Sequence, residues 1–190
     1  MVDFENDIKN CIKVLHKGGT ILYPTDTVWG LGCDAMNAAA VEKVFGIKQR
    51  PKEKSMIVLL ADARDILQYV ATPHPDIIAI VEGFDRPTTV IYDNALEFPD
   101  NVINADGSIA IRVTTDAFCK ALVKRLGRPV ISTSANLSGA ATPATFKMIA
   151  PAIVQNVDYV VKYRQDDDKI KAPSRLVRIT DEGEMKILRG

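Results

Sequence analysis

Blocks of apolar residues, spaced in two different ways, predict helices and strands in turn along this chain. The first block has apolar residues at i, i+3, i+4 and i+7, namely Ile8, Cys11, Ile12 and Leu15. This spacing predicts a helix with one apolar face, and the pair Gly18-Gly19 is a typical end for it. Residues 20–23 follow as a short predicted strand, which Pro24 ends before the polar loop 25–27.

The rest of the chain continues this interleaving. Further helices are predicted from the N-cap Asn37 through Phe45, near 62–69 and 75–83, over 118–126 with Gly127 as the stop, and from the pair Thr142-Pro143. Strands are predicted at 56–60, 88–92, 109–113, 130–131, 159–161, 176–179 and 185–188, with a long polar loop over 93–108. The pattern predicts an α/β domain in which helices pack on a mixed, twisted sheet.

Composition narrows the class of protein. The 190 residues suit one domain over 1–190, and 47% hydrophobic with 25% charged residues is the balance of a soluble globular protein. Lys plus Arg equal Asp plus Glu, 24 each, so binding to a phosphate backbone would need a local basic patch. The N-terminus lacks the apolar segment of a signal peptide, and no apolar run could span a bilayer. We therefore expect a cytoplasmic protein without a membrane role.

The three cysteines Cys11, Cys33 and Cys119 match neither a metal motif nor a closed disulfide framework. We expect Cys11 and Cys119 to be small buried side chains in helices, and free thiols favour a reducing compartment.

Several familiar catalytic signatures are absent or weak. The chain has no G-x-x-x-x-G-K-[ST] phosphate loop. Residues 30–35 match G-x-G-x-x-A, but a proline-containing loop separates these glycines from the preceding strand, so close packing explains them better than dinucleotide binding. His16 and His74 have no candidate nucleophile near them in sequence, which leaves a Ser-His-acid triad unsupported.

Two polar segments are candidates for an anion site. Residues 48–54 place four cations, Lys48, Arg50, Lys52 and Lys54, in a loop shaped by Pro51. Residues 132–136 carry hydroxyls and an amide directly after a predicted strand, where α/β proteins bind ligands. Taken singly, each segment is better explained as a solvated surface turn.

Several separated motifs occur together in one order. Residues 18–35, the pairs Lys48-x-Arg50 and Ser134-x-Asn136, residues 108–112, and the pair Leu188-Arg189 closely resemble the signatures of the YrdC/Sua5 family, and the resemblance covers nearly the whole chain. The resemblance implies a single YrdC-like α/β domain with a concave, positively charged cavity. It also implies threonylcarbamoyl-AMP synthase activity, in which L-threonine, bicarbonate and ATP give threonylcarbamoyl-adenylate and pyrophosphate.

The resemblance further implies partners and site residues. A downstream enzyme would pass the threonylcarbamoyl group to adenosine 37 of tRNAs that read ANN codons. Lys48 and Arg50 are the implied catalytic residues. The implied ATP-binding residues are Arg50, Lys54, Ser108, Ser134, Asn136, Thr142 and Arg189. The implied threonine-binding residues are Thr27, Arg112, Ser132 and Ser174, with the Arg112 guanidinium suited to the threonine carboxylate. Mg²⁺ is expected with ATP, and no metal held by the protein itself is expected.

The chain also departs from the family pattern. Leu59 stands where many relatives have histidine, and Trp29 stands where tyrosine is common and is expected to form an aromatic wall. Residues 166–173, with the charge run Asp166-Asp167-Asp168, replace a glycine-rich stretch before Ser174. The additional C-terminal domain of the long Sua5 form is expected to be absent. Two other functions remain open: a relative that forms carbamoyl-adenylate, and a non-catalytic module that binds double-stranded RNA or tRNA.

Overall fold

A computed structural model describes residues 4–49 and 56–190 of the chain. Its helices are α1 (Glu5–His16), α2 (Ala38–Lys48), α3 (Ile66–Tyr69), α4 (Ile77–Glu82), α5 (Ala117–Leu126) and α6 (Pro151–Val154). Two short 3-10 helices cover Ala63–Asp65 and Phe146–Met148. Within the described ranges, no helix is long and apolar enough to cross a membrane.

The strands of the described residues form one mixed sheet. They are β1 (Ile21–Tyr23), β2 (Gly30–Gly32), β3 (Ile57–Leu60), β4 (Thr88–Tyr92), β5 (Ile109–Val113), β6 (Val130–Ser134), β7 (Tyr159–Val160), β8 (Arg175–Ile179) and β9 (Met185–Arg189). Their order across the sheet is β7-β1-β2-β6-β3-β5-β4-β8-β9. β3 is parallel to β5 and antiparallel to β6, so the sheet is mixed as the sequence predicts.

Local sequence explains where the long helices begin and end. The Asn37 side chain accepts a hydrogen bond from the Ala40 amide at 3.1 Å and caps α2, and Asp116 caps α5 through the Cys119 amide. Gly127 ends α5 at φ +68, a conformation that glycine adopts without strain. Ile8, Cys11 and Leu15 are buried on one face of α1, which confirms the predicted apolar face.

Strand β3, at the centre of the sheet, carries apolar residues on both of its faces. Val58, Leu59 and Leu60 of β3 are buried, as are Ile109 and Ile111 of β5. This confirms that the continuous apolar run 56–60 is a central strand. Cys11, Cys33 and Cys119 are all free and buried, as expected for thiols that act as small hydrophobic side chains.

Two predictions from the sequence need correction. Thr142-Pro143 does not begin a helix: a short 3-10 helix starts at Phe146, and α6 starts at Pro151, where the ring occupies the first helical turn. Strand β2 was not predicted at all, because a three-residue strand with two glycines lacks the β-branched and aromatic residues that indicate strands.

The glycines of β2 permit close approach of its neighbours, as the close-packing interpretation proposes. A Cβ built on Gly32 would lie 1.9 Å from the carbonyl oxygen of Ile131 in β6. A Cβ on Gly30 would lie 3.2 Å from the hydroxyl of Ser132. Only glycine therefore allows β2 to lie between β1 and β6 in this geometry.

Candidate functional site

A cavity of about 300 Å³ opens on one face of the sheet, where β2, β5 and β6 meet the start of β8 and the end of β9. The predicted site residues that line it are Thr27, Arg112, Ser132, Ser134, Thr142, Ser174 and Arg189. These positions are spread over the chain from residue 27 to residue 189. The fold therefore brings together all four predicted threonine-side residues and three of the predicted nucleotide-side residues.

Arg112 is the buried cation of the cavity. It lies in the central strand β5, and its side chain is 3% exposed. Its Nη1 donates a 2.9 Å hydrogen bond to Oγ1 of Thr27 and lies 3.2 Å from Oδ1 of Asp26. Its Nε is buried and has no hydrogen-bond partner within the described ranges. A guanidinium in this state can still donate to a carboxylate that enters the cavity.

The loop between β1 and β2 is held by a chain of hydroxyl contacts. Oγ1 of Thr25 donates to the carbonyl oxygen of Val28 at 2.8 Å, and it accepts the Thr27 amide at 2.9 Å. The Thr25 and Thr27 hydroxyls are also 2.9 Å apart. Thr25, Thr27 and Val28 are buried. The loop therefore presents the Thr27 hydroxyl to the cavity from a fixed position.

Trp29 forms an aromatic wall of the cavity, as expected from the sequence. It is buried and packs against Phe146 with ring centroids 4.8 Å apart. Tyr23 lies behind β2, and its hydroxyl donates to the carbonyl oxygen of Ile131 at 2.9 Å. Complete burial raises the pKa of the Tyr23 phenol well above its ordinary value, so this group stays a neutral hydrogen-bond donor.

Ser174 closes the cavity from the side of β8. Its hydroxyl lies 2.7 Å from the hydroxyl of Thr89 in β4, and both side chains are buried. Nη2 of Arg189 donates to the carbonyl oxygen of Ser174 at 3.1 Å. Two of the predicted site residues therefore contact each other at the rim of the cavity, although Ser174 directly precedes β8 and Arg189 ends β9.

Lys48, Asn136 and Ser108 lie beside the cavity and do not line it. The Lys48 ammonium is buried and donates to the carbonyl oxygens of Ser134 and of Asn136, the latter at 2.7 Å. The Asn136 amide nitrogen donates to the carbonyl oxygens of Leu137 and Ala140, both at 3.0 Å. Both side chains therefore hold the backbone of the loop that follows β6.

Ser108 orders the turn before β5. Its hydroxyl donates to Oδ1 of Asp106 at 2.6 Å and accepts from Nδ2 of Asn104 at 3.0 Å. The hydrogen bond from Ser108 lowers the pKa of the Asp106 carboxyl. Asn104 is itself a lining residue of the cavity. Ser108 therefore influences the cavity indirectly, through its hydrogen bond with Asn104.

Arg50 and Lys54, the predicted phosphate ligands, lie outside the described residues. Of the residues that the structure does describe along the cavity, Arg112 and Arg189 are cationic and none is a carboxylate. Asp26 pairs with Arg112 and lines a second cavity of about 320 Å³.

Sequence reasoning missed Asp26, Thr25 and Asn104 as parts of the site. Asp26 and Thr25 stand in the polar loop 25–27, so only the polarity of that loop could have indicated them. Leu59 is fully buried in the core beside Arg112, its registered partner in β5, and it does not line the cavity.

The sequence profile of the Sua5/YciO/YrdC family, described as "Telomere recombination", matches residues 13–190. Among curated proteins, the chain is 32% identical over 189 residues to a threonylcarbamoyl-AMP synthase of Pseudoalteromonas translucida, covering 98% of each chain. It is 34% identical over 188 residues to the threonylcarbamoyl-AMP synthase of Xanthomonas oryzae pv. oryzae, covering 96% of each chain.

Solved structures share the fold. P. abyssi Sua5 complexed with L-threonine superposes with a TM-score of 0.84 at 21% identity, over 97% of this chain and 54% of that one. The chain therefore spans about half the length of that Sua5. E. coli YciO superposes with a TM-score of 0.80 at 24% identity, over 97% of this chain and 88% of that one.

Proposed function

Because this chain belongs to the Sua5/YciO/YrdC family, we propose that it is a threonylcarbamoyl-AMP synthase. In this reaction, L-threonine, bicarbonate and ATP give threonylcarbamoyl-adenylate and pyrophosphate. The observation that carries the proposal is the convergence of seven predicted substrate residues on one cavity of about 300 Å³. The curated relatives with this name match the chain along nearly its whole length.

The amino acid would bind around Arg112. The partnerless Nε of Arg112 supports this assignment, because a carboxylate that accepts from it would pair with a buried cation that otherwise lacks one hydrogen bond. Thr27, Ser132 and Ser174 supply hydroxyls around the same cation. P. abyssi Sua5, which has this fold, was solved with L-threonine bound.

ATP would bind beside the amino acid, along the end of β6 and the rim of the cavity. Ser134, Thr142 and Arg189 line this side. Arg50 and Lys54 come soon after α2 in the sequence, and Lys48 at the end of α2 donates to the carbonyl oxygen of Ser134 at the end of β6. This connection supports placing the phosphates between the two loops, where Arg50 and Lys54 would contact them.

The chemistry proposed is a nucleotidyl transfer with no covalent enzyme intermediate. The threonine amine and bicarbonate combine to a carbamate with loss of water. A carbamate oxygen then attacks the α-phosphorus of ATP, and the bond to the β-phosphate oxygen breaks as pyrophosphate leaves. Negative charge grows on the leaving group, so fixed cations lower the barrier. One cavity that holds all three reactants also reduces the entropic cost of their meeting.

Mg²⁺ would enter as the counterion of ATP. The described residues contain no cluster of three or more His, Cys, Asp or Glu side chains that could hold a metal ion. The cavity is lined there by hydroxyls, amides and guanidinium groups. Bound to the triphosphate, Mg²⁺ neutralises charge on the leaving group. The residues of the protein would orient the ATP phosphates around the Mg²⁺ ion.

The product would serve tRNA modification. Threonylcarbamoyl-adenylate is a reactive mixed anhydride, so a downstream enzyme must accept it and transfer the threonylcarbamoyl group to adenosine 37 of tRNA. We propose both as partners of this chain.

Release of pyrophosphate from the purified protein tests the proposal. We expect release that requires ATP, bicarbonate and L-threonine together, and that falls to background when any one is omitted. L-Valine serves as a matched amino-acid control, because it has the same branched shape without a hydroxyl.

Other outcomes would identify the other functions. Release with carbamoyl phosphate and ATP, independent of threonine, would contradict the proposal and indicate carbamoyl-adenylate formation. No turnover, combined with tight, salt-sensitive binding of RNA, would indicate an RNA-binding module.

A further inference from the structure

The direction of the hydrogen bonds between Thr25 and Thr27 determines what the Thr27 hydroxyl can offer to a ligand. A threonine hydroxyl carries one proton and two lone pairs. The Thr25 oxygen is within hydrogen-bond distance of the Val28 carbonyl, the Thr27 amide and the Thr27 hydroxyl. A carbonyl only accepts and an amide only donates, so two of these three contacts have a fixed direction.

The buried Val28 carbonyl decides where the Thr25 proton lies. Within the described ranges, the Thr25 hydroxyl is its hydrogen-bond donor, at 2.8 Å, and Val28 is buried. A buried carbonyl without a donor is unfavourable, so the Thr25 proton belongs on this bond. The Thr25 oxygen then accepts twice, from the Thr27 amide and from the Thr27 hydroxyl.

The Thr27 hydroxyl has therefore already donated its proton before a ligand arrives. One of its lone pairs accepts Nη1 of Arg112 at 2.9 Å. The second lone pair remains, and Thr27 lines the cavity. Thr27 can consequently accept a hydrogen bond from a ligand and cannot donate one without breaking its bond to Thr25.

We propose that Thr25 is a positioning and specificity residue of the amino-acid subsite: it holds the Thr27 proton, so that Thr27 accepts a hydrogen bond from a donor of the bound amino acid. The donor is the amine or the side-chain hydroxyl of the substrate. This inference rests on the proposed function. It adds Thr25, a buried residue that does not line the cavity, to the residues that select the substrate.

The Thr25→Val variant tests this role. Valine has nearly the shape of threonine but cannot accept the Thr27 proton, which is then free to point into the cavity and oppose the donor of the substrate. We expect the KM for L-threonine to rise about tenfold and the KM for ATP to change less than about twofold. Thr25→Ser, which keeps the hydroxyl, should restore both constants to within about twofold of the wild type.

A double-mutant cycle separates positioning from simple damage to the loop. If Thr25 acts through Thr27, Thr27→Val should raise the KM for L-threonine, and adding Thr25→Val should raise it no further. Independent, multiplying effects would overturn the inference. If Thr25→Val does not fold, Thr25→Cys tests the same point, because a thiol is a weak acceptor for the Thr27 proton.

Thr20→Val is a matched control. Thr20 is buried, and its hydroxyl is 3.1 Å from a carboxylate oxygen of Asp158, away from the cavity. This variant should lower the free energy of unfolding and leave the KM for L-threonine unchanged. A rise in that KM equal to the rise in Thr25→Val would overturn the inference.

L-2-Aminobutyrate, which keeps the amine and lacks the hydroxyl, identifies the donor. It is measured as a competitive inhibitor of L-threonine. If Thr25→Val raises its Ki as much as the KM for L-threonine, the donor is the amine, and a rise confined to L-threonine assigns the hydroxyl. If the wild-type protein shows no threonine-dependent turnover, that result would contradict both the proposed function and this inference. Normal wild-type turnover with an unchanged KM in Thr25→Val would overturn the inference alone.

Discussion

Arg112 lies between Ile111 and Val113 in an apolar strand, and its guanidinium is buried almost completely. A buried charge of this kind is stable only when it is paired and hydrogen-bonded. Asp26 and Thr27 supply that environment from the loop after β1. The guanidinium is therefore held ready before a carboxylate binds, which lowers the entropic cost of binding.

Replacing Arg112 by lysine should keep the charge and remove the planar pair of donors. A charge-assisted hydrogen bond contributes about 1.5–3 kcal/mol. We therefore expect the KM for L-threonine to rise by about tenfold to a hundredfold, with a smaller effect on the KM for ATP. Steady-state kinetics with each substrate varied in turn measures this.

Arg125→Lys is the matched control for that substitution. Arg125 is 44% exposed and pairs with Glu5 at the surface. The Arg125→Lys substitution should leave the KM for L-threonine and the KM for ATP unchanged. An unaltered KM for L-threonine in Arg112→Lys would contradict the carboxylate assignment.

The three buried thiols give the protein a pH-dependent stability. Burial raises the pKa of Cys11 to about 12 and raises the pKa values of Cys33 and Cys119 as well. As the pH rises past the ordinary thiol pKa of about 8.5, the unfolded chain loses its thiol protons first. The protein should therefore lose stability between that pH and the raised pKa values, and the thiols should contribute no pH dependence below it.

Urea denaturation at pH 7 and pH 10 measures this loss. Each thiol should lower the free energy of unfolding by about 2 kcal/mol at pH 10, from 1.36 kcal/mol per pKa unit. Cys11→Ala should show a smaller difference between the two pH values than the wild type. Equal differences in the two proteins would exclude a contribution from Cys11.

At the scale of elements, the end of α2 is joined to the loop after β6. The Lys48 ammonium donates to the carbonyl oxygens of Ser134, which ends β6, and of Asn136 in the loop, and the Ser138 amide donates to the Lys48 carbonyl at 2.8 Å. The sequence resemblance implies a catalytic role for Lys48. Its position indicates that it orders the backbone that carries Ser134 and Asn136.

Lys48→Met should weaken the connection between α2 and the loop after β6. The loop carbonyls lose their charged donor, which costs about 1–3 kcal/mol for each buried group. We expect a lower melting temperature and a loss of turnover together, measured by thermal unfolding and pyrophosphate release. Lys43→Met is the control in the same helix, because Lys43 is exposed and donates to the Gly18 carbonyl. Full melting temperature with lost turnover in Lys48→Met would instead favour a direct catalytic role.

Replacement by alanine should change the free energy of unfolding in opposite directions at Gly32 in β2 and at Gly46 in α2. In Gly32→Ala the new Cβ would meet the Ile131 carbonyl at 1.9 Å, so β2 and β6 must separate. We expect a loss of more than about 3 kcal/mol or failure to fold. In Gly46→Ala the Cβ meets nothing within 4 Å inside α2. This variant should gain about 0.5–1 kcal/mol from helix propensity.

Urea denaturation of both variants checks the pair. Similar stability of Gly32→Ala and the wild type would show that the sheet accommodates the side chain. That result would contradict the explanation of β2 as a strand that requires glycine.

At the scale of the whole molecule, the first helix and the late part of the chain are joined by Asp7. The Asp7 carboxylate accepts the Tyr159 hydroxyl at 2.6 Å and the amides of Lys162 and Tyr163 at 3.1 and 2.9 Å. Strand β7, which contains Tyr159, pairs in parallel with β1. The segment that leads from β7 towards Ser174 therefore starts from a point fixed by α1.

Asp7→Ala should destabilise the whole fold. It removes three hydrogen bonds to a buried carboxylate and leaves two backbone amides without an acceptor, so we expect a loss of about 2–4 kcal/mol by urea denaturation. Glu5→Ala, two residues away in α1, removes a surface ion pair with Arg125. It should lower the free energy of unfolding much less than Asp7→Ala does, because exposed ion pairs contribute little to stability. Equal losses in the two variants would contradict the anchoring role of Asp7.

The sequence alone determined the mixed α/β class, most helices and strands, and the family. Apolar periodicity and caps such as Asn37 act within a few residues, so they can be read from neighbouring positions. The sequence did not indicate β2 or the true start of α6. The first depends on the pairing of β2 with β1 and with β6, and the second depends on which of two proline sites packs as a helix.

Only the tertiary structure decided how the site is built. The sequence resemblance implies a catalytic role for Lys48 and nucleotide binding for Ser108 and Asn136, whereas the fold places all three beside the cavity as supports for its loops. It also pairs Asp26 with Arg112, 86 positions along the chain, and directs the Thr27 proton towards Thr25. Such contacts join residues far apart in sequence and depend on burial and hydrogen-bond direction, which arise only when the strands are assembled.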